Sequence, residues 1–171
     1  MKRILGACAL GLAAVGTAGP PTPAAARGEL VAFRSEAPGG SIVVRTQERR
    51  LYYVLGGGRA LRYPVGVGRP GRQWSGATRI LGKYRRPAWS PPPEIRRDKP
   101  SLPEIIPGGS PRNPMGDAAL TVRDGTYAIH GTNAPNSIGR FVSYGCIRMY
   151  NSDILDLFDR VSVGTPVFVT R

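Results

Sequence analysis

The residues of this chain best suited to chemistry are His130 and Cys146, which lie sixteen positions apart in the run HGTNAPNSIGRFVSYGCIRM. The whole chain of 171 residues holds one histidine and two cysteines. A thiolate is a strong nucleophile near neutral pH, and imidazole is the side chain best suited to deprotonating a thiol. This pair, set among Gly-containing turns, indicates a cysteine enzyme.

The second cysteine, Cys8, lies in a segment with the layout of a secretory signal peptide. A basic start precedes an apolar run over 4–15, and alanines occupy 24–26 at the cleavage positions. Residues 1–26 are therefore predicted to be removed. A lipoprotein signal around Cys8 is an alternative that the short preceding apolar segment disfavours, and an uncleaved disordered tail is another. The sequence predicts export to the periplasm or cell envelope, without stable membrane insertion after cleavage.

Cleavage there leaves a mature chain of 145 residues (171 minus 26), which is enough for one domain. We predict a short linker over 27–40 and a catalytic domain over 41–171. The net charge falls from +13 to +11, because the leader contains Lys2 and Arg3 and no acid. Export disfavours nucleic acid as the partner and favours a carboxylate-bearing envelope polymer, although a plain arginine-rich bias for solubility is equally compatible with the charge.

Most of the mature sequence has the pattern of short strands. Apolar and β-branched runs alternate with Gly-rich turns, and the Gly-rich stretch 56–59 separates two such runs, which predicts a β-hairpin. Another strand is expected to end at His130, where a Gly-containing turn begins. The runs expected to form strands are 42–44, 51–55, 60–65, 78–82, 119–122, 126–129 and 165–170.

Residues 86–116 break this pattern with nine prolines and no sustained period. Proline disrupts both sheet ladders and helix interiors, so we expect a long Pro-rich loop that forms a lid, a substrate wall or a plain surface excursion. Trp74, Tyr84 and Trp89 lie near its start and are expected to pin the loop to the body or to line a cleft.

One helix is predicted near the C-terminus. Candidate N-cap residues occupy 151–153, apolar residues follow at helical spacing, and Gly164 is expected to stop the helix. Many strands and one convincing helix predict a mainly β fold with a single packed C-terminal helix.

The residues around Cys146 fit nucleophilic catalysis better than metal binding. Zinc would need two further ligands, and the mature chain has no other cysteine or histidine. Ser143 to Cys146 form a tight turn whose backbone amides can face an oxyanion. Arg148 would lie on the same face of an extended strand and could hold a substrate carboxylate; an ion pair with Asp153 or Asp156 is the structural alternative.

At these residues the sequence resembles the L,D-transpeptidases with a YkuD-type catalytic domain. The matching block is HGTNAPNSIGRFVSYGCIRMYNSDILDLFDRVSVGTPV, residues 130–167, and the strand region from about 41 to 82 is similar to the first half of that domain. The resemblance implies an L,D-transpeptidase-like β-sandwich that needs no metal or organic cofactor. It also implies an acyltransferase that forms cross-links in peptidoglycan or attaches envelope proteins to it.

The resemblance also implies roles for individual residues. Cys146 would attack a tetrapeptide stem to form a thioester, with His130 as the base and the Gly131 carbonyl orienting the imidazole. The backbone amides of Tyr144, Gly145 and Cys146 would form the oxyanion hole. Arg148 would bind a stem carboxylate, and Ser143 is a further substrate-binding candidate whose hydroxyl could instead bond only within its own turn.

One position departs from the family pattern. Many members have Ser-His-Gly-Cys where this chain has Ser143-Tyr144-Gly145-Cys146, so His130 is the only histidine available as a base. Two other functions share the sequence features. An L,D-carboxypeptidase or cysteine peptidase would use the same residues with water as acceptor, and a non-catalytic cell-wall binding domain would keep the fold alone. The retained site residues disfavour the second of these.

Overall fold

The computed structural model describes residues 28–171, so the predicted signal peptide lies outside the described residues. Eleven strands and two α-helices make up this part of the chain. The strands are β1 (Glu29–Ala32), β2 (Ile42–Arg45), β3 (Arg50–Gly56), β4 (Arg59–Pro64), β5 (Val67–Gly68), β6 (Gly76–Arg85), β7 (Ala118–Val122), β8 (Tyr127–His130), β9 (Phe141–Ser143), β10 (Ile147–Arg148) and β11 (Pro166–Thr170). The helices are α1 (Pro93–Asp98) and α2 (Asn151–Arg160).

Nine of these strands form a mixed sheet in the order β1-β4-β3-β2-β11-β6-β7-β8-β10, and β5 pairs with β9 in a separate parallel ribbon. Strand β6 joins the two halves of the sheet. Its residues 76–79 pair with β11, its residues 80–85 pair with β7, and the register shifts between Ile80 and Gly82. A strand that passes from one layer to another through such an irregularity is typical of sandwiches.

The hydrophobic core draws on both halves of the sheet and on α2. Ile42, Val44 and Leu51 from the first half pack in the same cluster as Leu120 and Ile129 from the second. On α2, Ile154 and Leu157 are fully buried at a spacing of three residues, which places them on one helix face. The predicted mainly β sandwich with one main packed helix is confirmed.

The β3–β4 hairpin lies where the glycine-rich run predicted it. The two strands pair antiparallel from Arg50↔Pro64 to Gly56↔Arg59, and the three glycines at 56–58 all have positive φ. That backbone conformation costs glycine little because it has no Cβ. Local turn chemistry therefore sets the register of this half of the sheet.

The segment 27–40 differs from the predicted linker. Its described part contains β1, which pairs antiparallel with β4 and forms the edge of the sheet. Phe33 then stacks on Tyr52, with 4.2 Å between ring centroids, and is 6% exposed. An unpaired β4 would expose a row of backbone donors and acceptors, and β1 satisfies them.

The Pro-rich stretch 86–116 is ordered and contains the helix α1, which the sequence pattern did not predict. Pro93 stands at the first helical position, where its missing N–H costs nothing. An antiparallel bridge between Trp89 and Ile106 closes the stretch at its base. Inside it, the buried Asn113 amide donates to three backbone carbonyls, those of Pro87 (2.9 Å), Ile106 (3.2 Å) and Pro107 (3.0 Å).

The C-terminal helix occurs where it was predicted but with different ends. Helix α2 begins at Asn151 with Tyr150 as the N-cap residue, and no side chain caps it. Its last residue is Arg160, and Val161 is already extended, so the helix ends before Gly164. Val161 is 3% exposed because it packs in the core in an extended conformation. The helix therefore ends before the glycine at which the sequence predicted its end.

Candidate active site

Two adjacent strands bring His130 and Cys146 to one end of the sheet. His130 is the last residue of β8, as the sequence predicted, and Cys146 immediately precedes β10. The two strands are parallel, with Ile147 opposite Ile129 and Arg148 opposite His130. The Met149 amide then donates to the His130 carbonyl at 2.8 Å. This register places the thiol, the imidazole and the guanidinium at neighbouring positions along one edge.

The turn that carries Cys146 is fixed by contacts on both of its faces. The Ser143 hydroxyl donates to the Cys146 carbonyl at 2.6 Å and accepts the Gly145 amide at 3.1 Å. The Trp74 indole donates to the Gly145 carbonyl at 2.9 Å, and its ring stacks on Tyr127 with 5.5 Å between centroids. Gly145 has φ +130°, and a Cβ there would collide with the Tyr127 ring. Only glycine fits this position without rearrangement.

These contacts show which polar groups of the turn already have hydrogen-bond partners. Ser143 is 2% exposed, and both hydrogen bonds of its hydroxyl lie within its own turn. The Gly145 amide is engaged by Ser143, so the amides of Tyr144 and Cys146 remain as donors for an oxyanion. Trp74 supports the Cys146 turn rather than pinning the Pro-rich loop. The sequence pattern drew attention to Trp74, but it could not predict this hydrogen bond, because Gly145 lies 71 residues further along the chain.

The His130 ring is buried and neutral. Its Nδ1 lies 2.6 Å from the Gly131 carbonyl, which can only accept, so this contact favours the tautomer with the hydrogen on Nδ1 and the lone pair on Nε2. Burial and the positive charge of Arg148 lower the pKa of His130 to about 4, against weaker support of the charged form by the backbone of Gly131 and Pro114. The imidazole can therefore accept a proton through Nε2 at neutral pH.

The Cys146 thiol is also neutral at rest. Burial raises the pKa of Cys146, while a hydrogen bond from the Ala128 backbone and the nearby Arg148 charge work in the opposite direction. The Glu94 carboxylate on α1 adds a smaller upward contribution to this pKa. Although the two side chains share one edge, no hydrogen bond joins Sγ and the imidazole in the described structure. Such contacts often tighten only when substrate is bound.

Asn151 holds the loop that orients His130, a role that the sequence pattern did not reveal. Its side-chain Oδ1 accepts the amides of Thr132 (3.0 Å) and Asp117 (3.2 Å). A Cβ on Gly131 or on Gly116 would strike this amide group. An asparagine before a helical run is normally interpreted as a cap, so only the long-range geometry identifies this residue as the link between α2 and the Gly131 loop.

Arg148 has no carboxylate partner in the described chain, so the predicted alternative of a structural ion pair is wrong. Asp156 pairs with Arg160 at 2.8 Å and accepts the Tyr63 hydroxyl at 2.6 Å. Asp153 is buried, which raises its pKa to about 6. The Arg148 Nε is buried without a hydrogen-bond partner, and burial lowers the pKa of the guanidinium.

A cavity of about 300 Å³ lies beside the Cys146 turn, between it and the Pro-rich stretch. It meets the turn at Tyr144 and Arg148. The Pro-rich side contributes two more cations, Lys99 and Arg112, and no acidic side chain lines the cavity. The remaining lining residues are mainly apolar: Trp89, Ile95, Leu102, Ile106, Pro114, Asn133 and Ala134. The Pro-rich stretch is therefore a wall of this cavity.

Two negative observations apply to residues 28–171. No group of three or more histidine, cysteine and acidic residues lies close enough together there to hold a metal ion. Neither of the helices found in this part of the chain has the length and apolar character needed to cross a membrane.

Comparison with known proteins identifies the class of domain to which this fold and site belong. Residues 39–169 match the YkuD family, the L,D-transpeptidase catalytic domain, and the chain belongs to that family. It is 44% identical over 135 residues to the probable L,D-transpeptidase ErfK/SrfK of Escherichia coli, and the alignment covers 74% of this chain and 42% of that protein. Identity to the probable L,D-transpeptidase YbiS of Escherichia coli is 42%, covering 74% of this chain and 43% of that protein. The chain thus spans about four-tenths of the length of these relatives.

Solved structures show the same fold. An L,D-transpeptidase from Mycobacterium smegmatis superposes with a TM-score of 0.61 at 22% identity, covering 76% of this chain and 58% of the other. The catalytic domain of the Enterococcus faecium L,D-transpeptidase gives a TM-score of 0.61 at 20% identity, covering 80% of this chain and 100% of the other. The described β-sandwich is therefore the fold of this family.

Proposed function

We propose that this chain is an exported L,D-transpeptidase that acts on peptidoglycan stem peptides through a thioester on Cys146. One observation carries this proposal. The parallel pairing of β8 and β10 places the Cys146 turn beside a neutral, buried His130 and next to a cation-lined cavity. Family membership gives the class of reaction, and the predicted signal peptide supports export.

In the first step, Cys146 attacks a carbonyl of the stem. His130 Nε2 takes the thiol proton as the new S–C bond forms, and the carbonyl oxygen becomes an oxyanion. The amides of Tyr144 and Cys146 stabilise this charge. Collapse of the intermediate breaks the bond to the terminal D-alanine, and His130 returns the proton to the departing amine. The product is a thioester and a free amino acid.

The resting protonation states fit this sequence. A neutral imidazole and a neutral thiol need no charge separation in a buried site before substrate arrives, and the proton moves only as the S–C bond forms. The hydrogen bond between Nδ1 and the Gly131 carbonyl holds the ring in the tautomer that leaves Nε2 free. That carbonyl also stabilises the imidazolium that forms transiently.

In the second step an amine attacks the thioester carbonyl, His130 takes a proton from the amine, and the C–S bond breaks, after which the proton returns to the sulfur of Cys146. The amine would belong to a second stem or to an envelope protein. If water takes its place, the same site acts as an L,D-carboxypeptidase, which is the alternative function. The residues of the site are the same for each acceptor, so the products distinguish them.

The cavity supports a carboxylate-bearing substrate. Arg148 projects an unpaired, partly buried guanidinium toward it, and Lys99 and Arg112 line its other side. A charged donor strengthens a hydrogen bond to a carboxylate, and Arg148 gains a partner only when ligand binds. A stem peptide carries such carboxylates. Ser143, in contrast, serves to shape the turn, since its side chain is 2% exposed and its only hydroxyl hydrogen is donated to the Cys146 carbonyl.

Product analysis tests the proposal. Purified chain is incubated with a disaccharide tetrapeptide stem, alone and with an acceptor stem, and the products are separated by mass spectrometry. We expect release of D-alanine and a cross-linked dimer. Cys146→Ala should abolish both, and His130→Ala should lower the rate by about 10² to 10⁴. A trimmed tripeptide without dimer would support the carboxypeptidase, and D-alanine release that survives in Cys146→Ala would exclude both functions.

A further inference from the structure

The side chain of Tyr144, at the position where many family members have histidine, contacts the Pro-rich stretch and not the reacting groups. We propose that Tyr144 is a positioning residue that holds helix α1 against the Cys146 turn and thereby keeps the outer wall of the cavity in place. The effect on turnover rests on the function proposed above, whereas the effect on α1 does not.

Three groups form the contact between Tyr144 and α1. The Tyr144 hydroxyl donates to the Asp98 carboxylate at 2.6 Å, and Asp98 is the last residue of α1. The Arg69 guanidinium pairs with the same carboxylate at 3.3 Å and lies 4.1 Å from the centroid of the Tyr144 ring. Each group therefore touches the other two, and the loss of any one weakens the remaining contacts.

The other end of α1 is held from the same part of the body. Arg72 pairs with Glu94 in the first turn of the helix. Arg69 and Arg72 follow β5, and β5 pairs with β9, which leads directly into Tyr144. Helix α1 is thus attached at both ends to a single ribbon, the one that also carries the Cys146 turn.

Polar contacts matter for α1 because the core does not hold it. The helix has six residues and none is buried. A helix this short is not stable by itself in water. Each exposed ion pair contributes little to stability, so the position of α1 depends on all of these contacts together. The hydrogen bond from the Tyr144 hydroxyl is the one that connects α1 to the Cys146 turn.

The placement of α1 determines the shape of the cavity. Ile95 lies on α1, Lys99 is the next residue after the helix, and Leu102 lies three residues further on. All three line the same cavity as Tyr144 and Arg148. The thiol and imidazole are positioned by other contacts, from Ser143 and Gly131. Releasing α1 should therefore weaken substrate binding and leave the chemical step intact.

Two substitutions remove the same hydrogen bond from opposite sides, Tyr144→Phe and Asp98→Ala, and the second also removes the ion pair with Arg69. With the disaccharide tetrapeptide stem as substrate, each should raise KM by about three- to tenfold with kcat within about twofold of wild type. The double variant should be little worse than Asp98→Ala alone, because that variant has already lost the hydrogen bond to Tyr144. Tyr84→Phe is the matched control, since Tyr84 is 51% exposed and its hydroxyl has no partner in the described structure.

Hydrogen exchange provides a readout that needs no turnover. Amides of residues 94–99 should exchange several-fold faster in Tyr144→Phe than in wild type or Tyr84→Phe. Equal exchange in all three proteins would overturn the proposal, as would a fall in kcat at unchanged KM, which would assign the hydroxyl to the chemical step. If wild type did not turn over the stem, the proposed function would fail while exchange at 94–99 would still decide the role of Tyr144.

Discussion

The neutral state of His130 follows from where the fold places it. The ring is 4% exposed, and the polar groups close to it are the backbone carbonyls of Gly131 and Pro114 rather than a carboxylate. A triad with an acidic third member would hold the imidazolium as an ion pair, whereas a carbonyl mainly fixes the tautomer. Under the proposed function, the chemistry of this site depends on one proton that moves from sulfur to Nε2 and then to the leaving group.

The burial of His130 predicts that the stability of the fold depends on pH. The unfolded imidazole binds a proton near its ordinary pKa of 6.5, whereas the folded one binds it only near 4. The unfolded state therefore holds more protons between these values, and the free energy of unfolding falls as pH is lowered through them, by up to roughly 3 kcal/mol. Asp153, with its pKa raised to about 6, acts in the opposite direction over part of this range.

Comparison with His130→Asn isolates the histidine contribution from that of Asp153. Chemical denaturation at several pH values should show the wild type losing stability relative to the variant between pH 6.5 and 4. A constant difference across this range would contradict a buried neutral imidazole.

A second prediction concerns Arg148, whose Nε is buried without a hydrogen-bond partner. Arg148→Met should raise KM for a stem with a free carboxylate by about 10- to 100-fold, the loss of one charge-assisted hydrogen bond. Stability should be unchanged or higher, since a buried unpaired charge is removed. Arg79→Met, at an exposed position on β6, is the control. A large loss of stability in Arg148→Met, with KM unchanged, would instead assign Arg148 a structural role.

The geometry of the site depends on the hydrogen bonds between α2 and the Gly131 loop. Asn151→Ala removes one acceptor and leaves the amides of Thr132 and Asp117 unpaired. We expect a loss of about 1 to 3 kcal/mol in the free energy of unfolding and a lower kcat, because the Gly131 carbonyl no longer holds the His130 ring firmly. Ser152→Ala is the matched control at an exposed neighbour. Asn151→Ala with wild-type kcat and stability would show that α2 does not support this loop.

The elements that sequence patterns predicted are those specified locally. The β3–β4 hairpin follows from its glycine-rich tip, and the end of β8 at His130 follows from the change from apolar residues to a Gly-containing turn. Helix α1 was not predicted, because six residues among prolines with no buried face produce no period. The two-residue strand β10 and its parallel pairing with β8 depend on contacts distant in sequence.

The same limit applies to the site. Residue types alone were enough to nominate His130 and Cys146, because residues 28–171 contain a single copy of each. The support from Trp74 and Asn151 could not be predicted, since each acts on a backbone group at a distant position. That Arg148 forms no ion pair with Asp156 could not be predicted either, because it depends on the pairing of Asp156 with Arg160.

Under the proposed function, the formal net charge of +13 and a cavity lined by cations and no acids predict that electrostatics contributes to capture of an anionic stem. Raising the salt concentration from about 0.05 to 0.5 M shortens the Debye length from roughly 14 to 4 Å. KM for an anionic stem should then rise several-fold, while alkylation of Cys146 by neutral iodoacetamide keeps its rate. A KM that does not respond to salt would remove charge from the recognition mechanism.

Intact mass spectrometry shows directly whether a thioester forms on Cys146. Wild-type protein incubated with a tetrapeptide stem or a carbapenem should gain the mass of one acyl group, and peptide mapping should locate that mass on Cys146. Cys146→Ala should gain no mass under the same conditions. An unmodified wild type, or an adduct that persists in Cys146→Ala, would contradict a cysteine nucleophile at this site.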